Sequence, residues 1–122
     1  MPRVLVVDDD PDLRDMLREA FERAGYAVDE AADGRAALDL LLGRGCPDAA
    51  VVDLMLPLLD GWHVVRAAHT DCPGLPIVVV TGAYDPAAVA RELGPLGVYA
   101  CLQKPFDLGQ LVGIVGQLAG VP

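Results

Sequence analysis

Apolar residues in this chain follow two alternating patterns. Val4-Leu5-Val6-Val7, Ala49-Ala50-Val51-Val52 and Ile77-Val78-Val79-Val80 are short, unbroken hydrophobic runs, and Ala100-Cys101-Leu102-Gln103 is a fourth, weaker one. Runs of this length and composition predict strands buried on both faces of a parallel sheet. Between them the apolar positions move to helical spacing. Leu13, Met16, Leu17, Ala20, Phe21 and Ala24 lie on one helical face. Asp10, Pro11 and Asp12 supply a cap, a first-turn proline and an acid at the positive end of the dipole, so Asp10 and Asp12 are assigned to capping. Gly25 ends that helix.

The same punctuation continues along the chain. Tyr26 to Glu30 predicts a short strand with polar positions, suited to a sheet edge. Asp33 caps a helix that turns Ala37, Leu38, Leu41 and Leu42 inward, with Gly43 or Gly45 ending it. Asp60-Gly61 begins a helix carrying Val64, Val65 and Ala68. Pro86 starts a short helix that Gly94-Pro95 stops. A strand from about Val98 to Leu102 follows. Asp107 caps the last helix, with Leu108, Leu111, Val112, Val115 and Leu118 apolar. Five strands alternating with five helices predict one doubly wound α/β domain over residues 1–122, helices on both faces, with 119–122 as the start of a linker.

The four apolar runs stop at Asp8-Asp9, Asp53, Thr81 and Lys104-Pro105. In an open α/β sheet the ligand site lies beyond the carboxyl ends of the strands, so these groups are expected to converge. Lys104 is the only lysine, the other eight cations being arginine. A compact ammonium is thus kept at this one strand end.

Composition narrows the function. The chain is 53% hydrophobic but only 5% aromatic, which implies an aliphatic core. A net charge of −9 argues against nucleic acid or an anionic membrane as a direct partner. Neither a signal peptide nor a membrane-spanning run is read. Cys46, Cys72 and Cys101 are odd in number and lack metal or redox spacing, so three reduced thiols in a cytoplasmic protein are expected. His63 and His69 do not share a helical face and are read as surface residues. Trp62 is read as packing rather than binding a ligand. Gly109, Gly113, Gly116 and Gly120 form a stripe on the last helix, read either as a contact with a second chain or as a tolerant surface.

The motifs Val6-Val7-Asp8-Asp9-Asp10, Asp53-Leu54-Met55-Leu56-Pro57 with Asp60-Gly61, Thr81-Gly82-Ala83 and Lys104-Pro105-Phe106 resemble the receiver (CheY-like) domain of bacterial two-component response regulators, over essentially the whole chain. The resemblance implies a sheet of order 2-1-3-4-5 and a phosphorylation-dependent switch rather than an enzyme, with self-phosphotransfer and slow self-dephosphorylation at most. It implies that Asp53 accepts a phosphoryl group from a histidine kinase, a phosphotransfer protein or a small acyl phosphate. Asp8, Asp9, Asp53 and the Met55 backbone carbonyl would hold Mg²⁺. Thr81 and Lys104 would bind the phosphoryl group, and the peptide before Pro105 would be cis. Readout would run through the surface of the fourth helix, fifth strand and fifth helix, to an unspecified downstream target or a homodimer partner.

The chain departs from the family at the switch aromatic. That position falls on Cys101, and Tyr99, on the same strand face by simple alternation, is the candidate substitute. Met55 and Ala83, both apolar, flank the expected path of hydrolytic water and are assigned to tuning the phosphorylated lifetime. A Mg²⁺-dependent phosphohydrolase lacks a cap or substrate pocket here. A receiver-shaped module that is never phosphorylated would lack acceptor or metal residues, which are present. A nucleotide-binding domain lacks its glycine motifs.

Overall fold

The computed structural model describes residues 1–120. The linker expectation at 119–122 therefore lies in part outside the described residues. The elements run β1 (Arg3–Val7), α1 (Pro11–Arg23), β2 (Ala27–Ala31), α2 (Gly34–Arg44), β3 (Ala49–Asp53), α3 (Gly61–Asp71), β4 (Ile77–Thr81), α4 (Pro86–Leu93), a short 3₁₀ turn (Gly94–Leu96), β5 (Val98–Gln103) and α5 (Leu108–Ala119). The strands form one parallel sheet in the order β2-β1-β3-β4-β5, as expected. No helix among the described residues is long and apolar enough to cross a membrane.

Period-two alternation explains why the central strands are apolar throughout. Val4, Val6, Val51, Val78 and Val80 face one side and pack with Leu17 and Phe21 of α1 and Leu111 and Val115 of α5. Leu5, Val7, Val52, Ile77 and Val79 face the other and pack with Ala37, Leu41, Val64, Val65, Val89 and Leu93 from α2, α3 and α4. Every residue of β3 and β4 is buried.

Caps at Asp10, Asp33, Asp60 and Asp107 fix where α1, α2, α3 and α5 begin, each side chain accepting a backbone N–H of its own first turn. Asp85 makes no such bond, and α4 relies on Pro86 alone. The α-helix stops at Leu93, as Gly94-Pro95 required, the chain then tightens into the 3₁₀ turn, and Gly97 at φ 89° closes that turn before β5. Tyr26 precedes β2 rather than opening it. Its ring is buried edge-on against Phe21, with centroids 5.4 Å apart.

The cysteines depart from expectation. Cys46 and Cys72 form a disulfide, with Cα atoms 5.8 Å apart, and only Cys101 is free. The three-thiol expectation is thus corrected. Spacing along the sequence carried no sign of the bond because topology creates it. Cys46 lies just before β3 and Cys72 lies between α3 and β4. These two strands are neighbours with Ala50 opposite Ile77, so the sheet brings both approaches to one edge. His63 is exposed beside Asp60, whereas His69 is half-buried, with Nδ1 enclosed and without a hydrogen-bond partner in the structure.

Candidate functional site

Sheet register assembles the predicted residues. Asp53 ends β3, and Val7, which ends β1, follows a residue paired alongside Val51 and itself lies opposite Val52. Asp8, one step further, therefore emerges beside Asp53. Thr81 ends β4 on the other flank of Asp53, and Lys104 follows β5 directly. The Lys104 N–H donates to the Thr81 carbonyl at 2.8 Å, which ties the two strand ends together. The Lys104-Pro105 peptide is cis.

The Lys104 ammonium donates to Asp53 Oδ2 at 2.8 Å and to Asp8 Oδ2 at 2.9 Å. Asp53 Oδ1 accepts the Met55 N–H at 2.9 Å, and Asp8 Oδ1 accepts the Asp10 N–H at 2.9 Å. The Arg14 guanidinium donates to the Asp8 carbonyl at 2.8 Å. Asp8 and Asp53 are buried, at 1% and 3% exposure, while Asp9 faces solvent. One carboxylate oxygen from each of Asp8, Asp9 and Asp53 lies within 4.8 Å of the others.

Three carboxylates against one ammonium leave an excess of negative charge. Burial pushes the Asp53 carboxyl above its ordinary range. The Lys104 hydrogen bond and the Met55 N–H oppose this, and the Asp8 charge adds to it. Burial works to lower the Lys104 ammonium, but its hydrogen bonds to the Asp53 and Asp8 carboxylates, with their charges, outweigh it and raise the group. So the lysine stays charged and still does not fully compensate two buried acids. A cluster of hard oxygen donors with residual negative charge fits a hard divalent cation.

Two glycines allow the loop after β3 to close on the site. The Gly61 N–H donates to the Leu54 carbonyl at 3.1 Å, and a side chain there would overlap the Asp53 carbonyl. A side chain at Gly34 would likewise overlap the Leu59 carbonyl. The sequence marked Gly61 only as a helix start and Gly34 not at all, because close approach between distant segments leaves no local pattern.

Met55 is half exposed and lines a cavity of about 500 Å³ with Asp9, Leu54, Leu56, Pro57, Asp60 and Tyr84. Ala83 sits in the β4–α4 loop, where its N–H donates to Thr81 Oγ1 at 3.1 Å. The Thr81 side chain is wholly buried. Tyr84 escaped the sequence reading. The signal was an aromatic three residues past a strand end, on a loop that also meets Trp62.

The alternation that would relate Tyr99 to Cys101 is interrupted within β5. Ile77 pairs with Val98 but Val78 pairs with Ala100, so Tyr99 is the extra residue of a bulge. Cys101 packs toward the α2–α4 side with Val98, while Tyr99 is 67% exposed. Burial, and secondarily the Asp85 charge, raise the Cys101 thiol.

The family model of the response regulator receiver domain matches residues 4–116, and the chain belongs to that family, part of two-component signalling. The chain is 44% identical over 112 residues to the response regulator MprA of Mycolicibacterium vanbaalenii and 42% identical to that of Mycobacterium avium. Each match covers 90% of this chain and 47% of the relative, so the chain spans about half the length of these curated relatives. Among solved structures it resembles the Francisella response regulator 1452 receiver domain, with TM-score 0.88, 29% identity and 98% of both chains covered. It also resembles a CheY-like receiver domain from Methanospirillum hungatei, with TM-score 0.89, 27% identity, and 98% and 94% of the two chains covered.

Proposed function

We propose that the chain is a phosphorylation-dependent switch and that Asp53 is its acceptor. The observation that carries this reading is the meeting of Asp53, Lys104, Asp8 and Asp9 at the carboxyl edge of the sheet. A carboxylate attacks an anionic phosphoryl group poorly because like charges repel. Lys104 and a cation on the acid cluster offset that repulsion. Asp8, Asp9, Asp53 and the Met55 carbonyl are the groups assigned to hold Mg²⁺, which when bound neutralises phosphoryl oxygens as charge shifts during transfer.

The donor is a phosphohistidine of a partner kinase or phosphotransfer protein, or a small acyl phosphate. An Asp53 oxygen forms the new P–O bond. The donor's P–N bond breaks and its electron pair stays on the histidine nitrogen. Lys104 holds the transferred group, and the Thr81 hydroxyl turns to donate to it. Water later hydrolyses the aspartyl phosphate. Turnover of this kind is self-directed, so the chain is a switch rather than an enzyme with a separate substrate. A cavity of about 380 Å³ lined by Leu13, Met16, Phe106 and Leu108 opens beside Lys104 and suits the apolar surface of a phosphohistidine donor.

Phosphorylation adds charge and acceptor oxygens in the middle of a loop network that leads to α4, β5 and α5. That face is the proposed output surface, toward a downstream target or a second copy. A cytoplasmic setting follows from a kinase donor. Incubation with acetyl phosphate and Mg²⁺ followed by intact mass measurement tests the assignment. Wild type gains one phosphoryl group and Asp53→Ala gains none. Equal labelling of both forms overturns it.

A further inference from the structure

Tyr84 connects the hydroxyl of Thr81 to a fixed point on α3. Its ring meets the Trp62 ring edge-on, with centroids 5.4 Å apart and planes at 84°. Trp62 belongs to the first turn of α3, which Asp60 caps and the Gly61 contact seats against β3. Trp62 also packs against the α2–α4 side of the core. The tyrosine is therefore held to a rigid element, although its own loop is exposed.

The same loop occupies Thr81. Oγ1 accepts the Ala83 N–H at 3.1 Å and the Tyr84 N–H at 3.2 Å. A hydroxyl has two acceptor positions, and these two donors fill them. Donation to a phosphoryl oxygen uses the hydroxyl proton, and movement of Oγ1 toward Asp53 while it still accepts both N–H groups draws Ala83 and Tyr84 with it. A shift of the Tyr84 backbone carries its ring off Trp62.

We propose that Tyr84 is a positioning residue whose contact with Trp62 latches the β4–α4 loop in the resting arrangement and so sets how readily Thr81 reaches the phosphoryl group. This rests on the reading of Asp53 as acceptor. Edge-to-face aromatic pairs change an equilibrium by roughly two- to ten-fold. Loss of the latch raises the population of the released loop by that factor, and tightens any ligand that needs the released loop equally.

Trp62 is the only tryptophan, so its emission reports the contact directly. The probe is beryllium fluoride with Mg²⁺, a phosphoryl mimic that adds to a carboxylate. Wild type is expected to change its emission on titration. Tyr84→Ala should start from a shifted emission, change less, and bind the mimic at a roughly two- to ten-fold lower midpoint. Tyr84→Phe keeps the ring and should return to the wild-type midpoint. Tyr84→Leu keeps an apolar wall without the ring and should follow Tyr84→Ala, which covers a poorly folding alanine variant. Equal midpoints in all forms, with normal mass gain from acetyl phosphate, overturn the latch alone. Absence of mass gain in every form overturns the Asp53 reading and the latch with it.

Discussion

Lys104 donates to Asp53 Oδ2 at 2.8 Å, and the same ammonium serves Asp8 at 2.9 Å. One cation thus serves two buried carboxylates and offsets only part of their charge. Removing one partner of a buried ion pair costs about 3–5 kcal/mol when both charges are dry. The Lys104 side chain is 27% exposed, so water relieves part of that. Lys104→Met should lower unfolding stability in EDTA by about 1–3 kcal/mol, and Mg²⁺ should recover much of the loss. Urea unfolding with and without Mg²⁺ checks both parts. A variant as stable as wild type in EDTA would mean that the two acids need no counter-charge.

The acceptor itself should be a cost to the metal-free protein. The Asp53 carboxyl is raised above its ordinary 3.8, mainly by burial. A group whose native pKa is raised holds its proton more tightly when folded. Its contribution to stability is complete below the unfolded value and falls as pH rises through the native one. Above that value the ionised group opposes folding. Asp53→Asn should therefore melt above wild type in EDTA at pH 7, and the gap should close as pH falls toward 4. Mg²⁺ should stabilise wild type more than the variant. A lower melting temperature for Asp53→Asn at pH 7 in EDTA would show that the Lys104 pair outweighs burial.

The fold was legible because its strands are so uniform. Runs such as Ile77-Val78-Val79-Val80 admit little but a doubly buried strand, and their end residues became the site. What stayed hidden depends on segments that meet only after folding. Nothing near Gly34 announces Leu59, and nothing near Tyr84 announces Trp62. The bulge at Tyr99 was equally hidden, since one extra residue puts Val98 and Cys101 on the same side of the sheet despite their odd spacing. The Cys46–Cys72 bond was invisible for the same reason, as it joins two loops that only the β3–β4 pairing makes adjacent.

On the proposed reading, Met55 sets how long the phosphorylated state lasts. It lines the cavity beside Asp9 and offers hydrolytic water no polar side-chain contact. A net hydrogen bond is worth about 1 kcal/mol, or roughly five-fold in a rate when it forms only in the transition state. Met55→Asn should thus shorten the lifetime of the phosphorylated protein about five-fold. Decay of the added phosphoryl mass after removal of acetyl phosphate measures it. An unchanged lifetime would place the attacking water away from this side chain.

The disulfide should be read directly from thiol counts. Denaturation without reductant followed by alkylation should label Cys101 alone, and prior reduction should expose Cys46 and Cys72 as well. Cys46 is exposed and Cys72 is buried, so external thiols have access to the Cys46 side of the bond. The bond closes a segment with a sequence separation of 26 that contains β3, Asp53 and α3. Cross-linking a loop of that length restricts the unfolded chain by about 3–4 kcal/mol in the entropy model. Reduction, or Cys46→Ser with Cys72→Ser, should lower unfolding stability by an amount approaching that figure. Because the bond lies at the edge of the sheet opposite Asp53, phosphoryl uptake from acetyl phosphate should survive in the double variant. Labelling of all three cysteines before reduction would restore the expectation of free thiols, which a reducing cell interior favours.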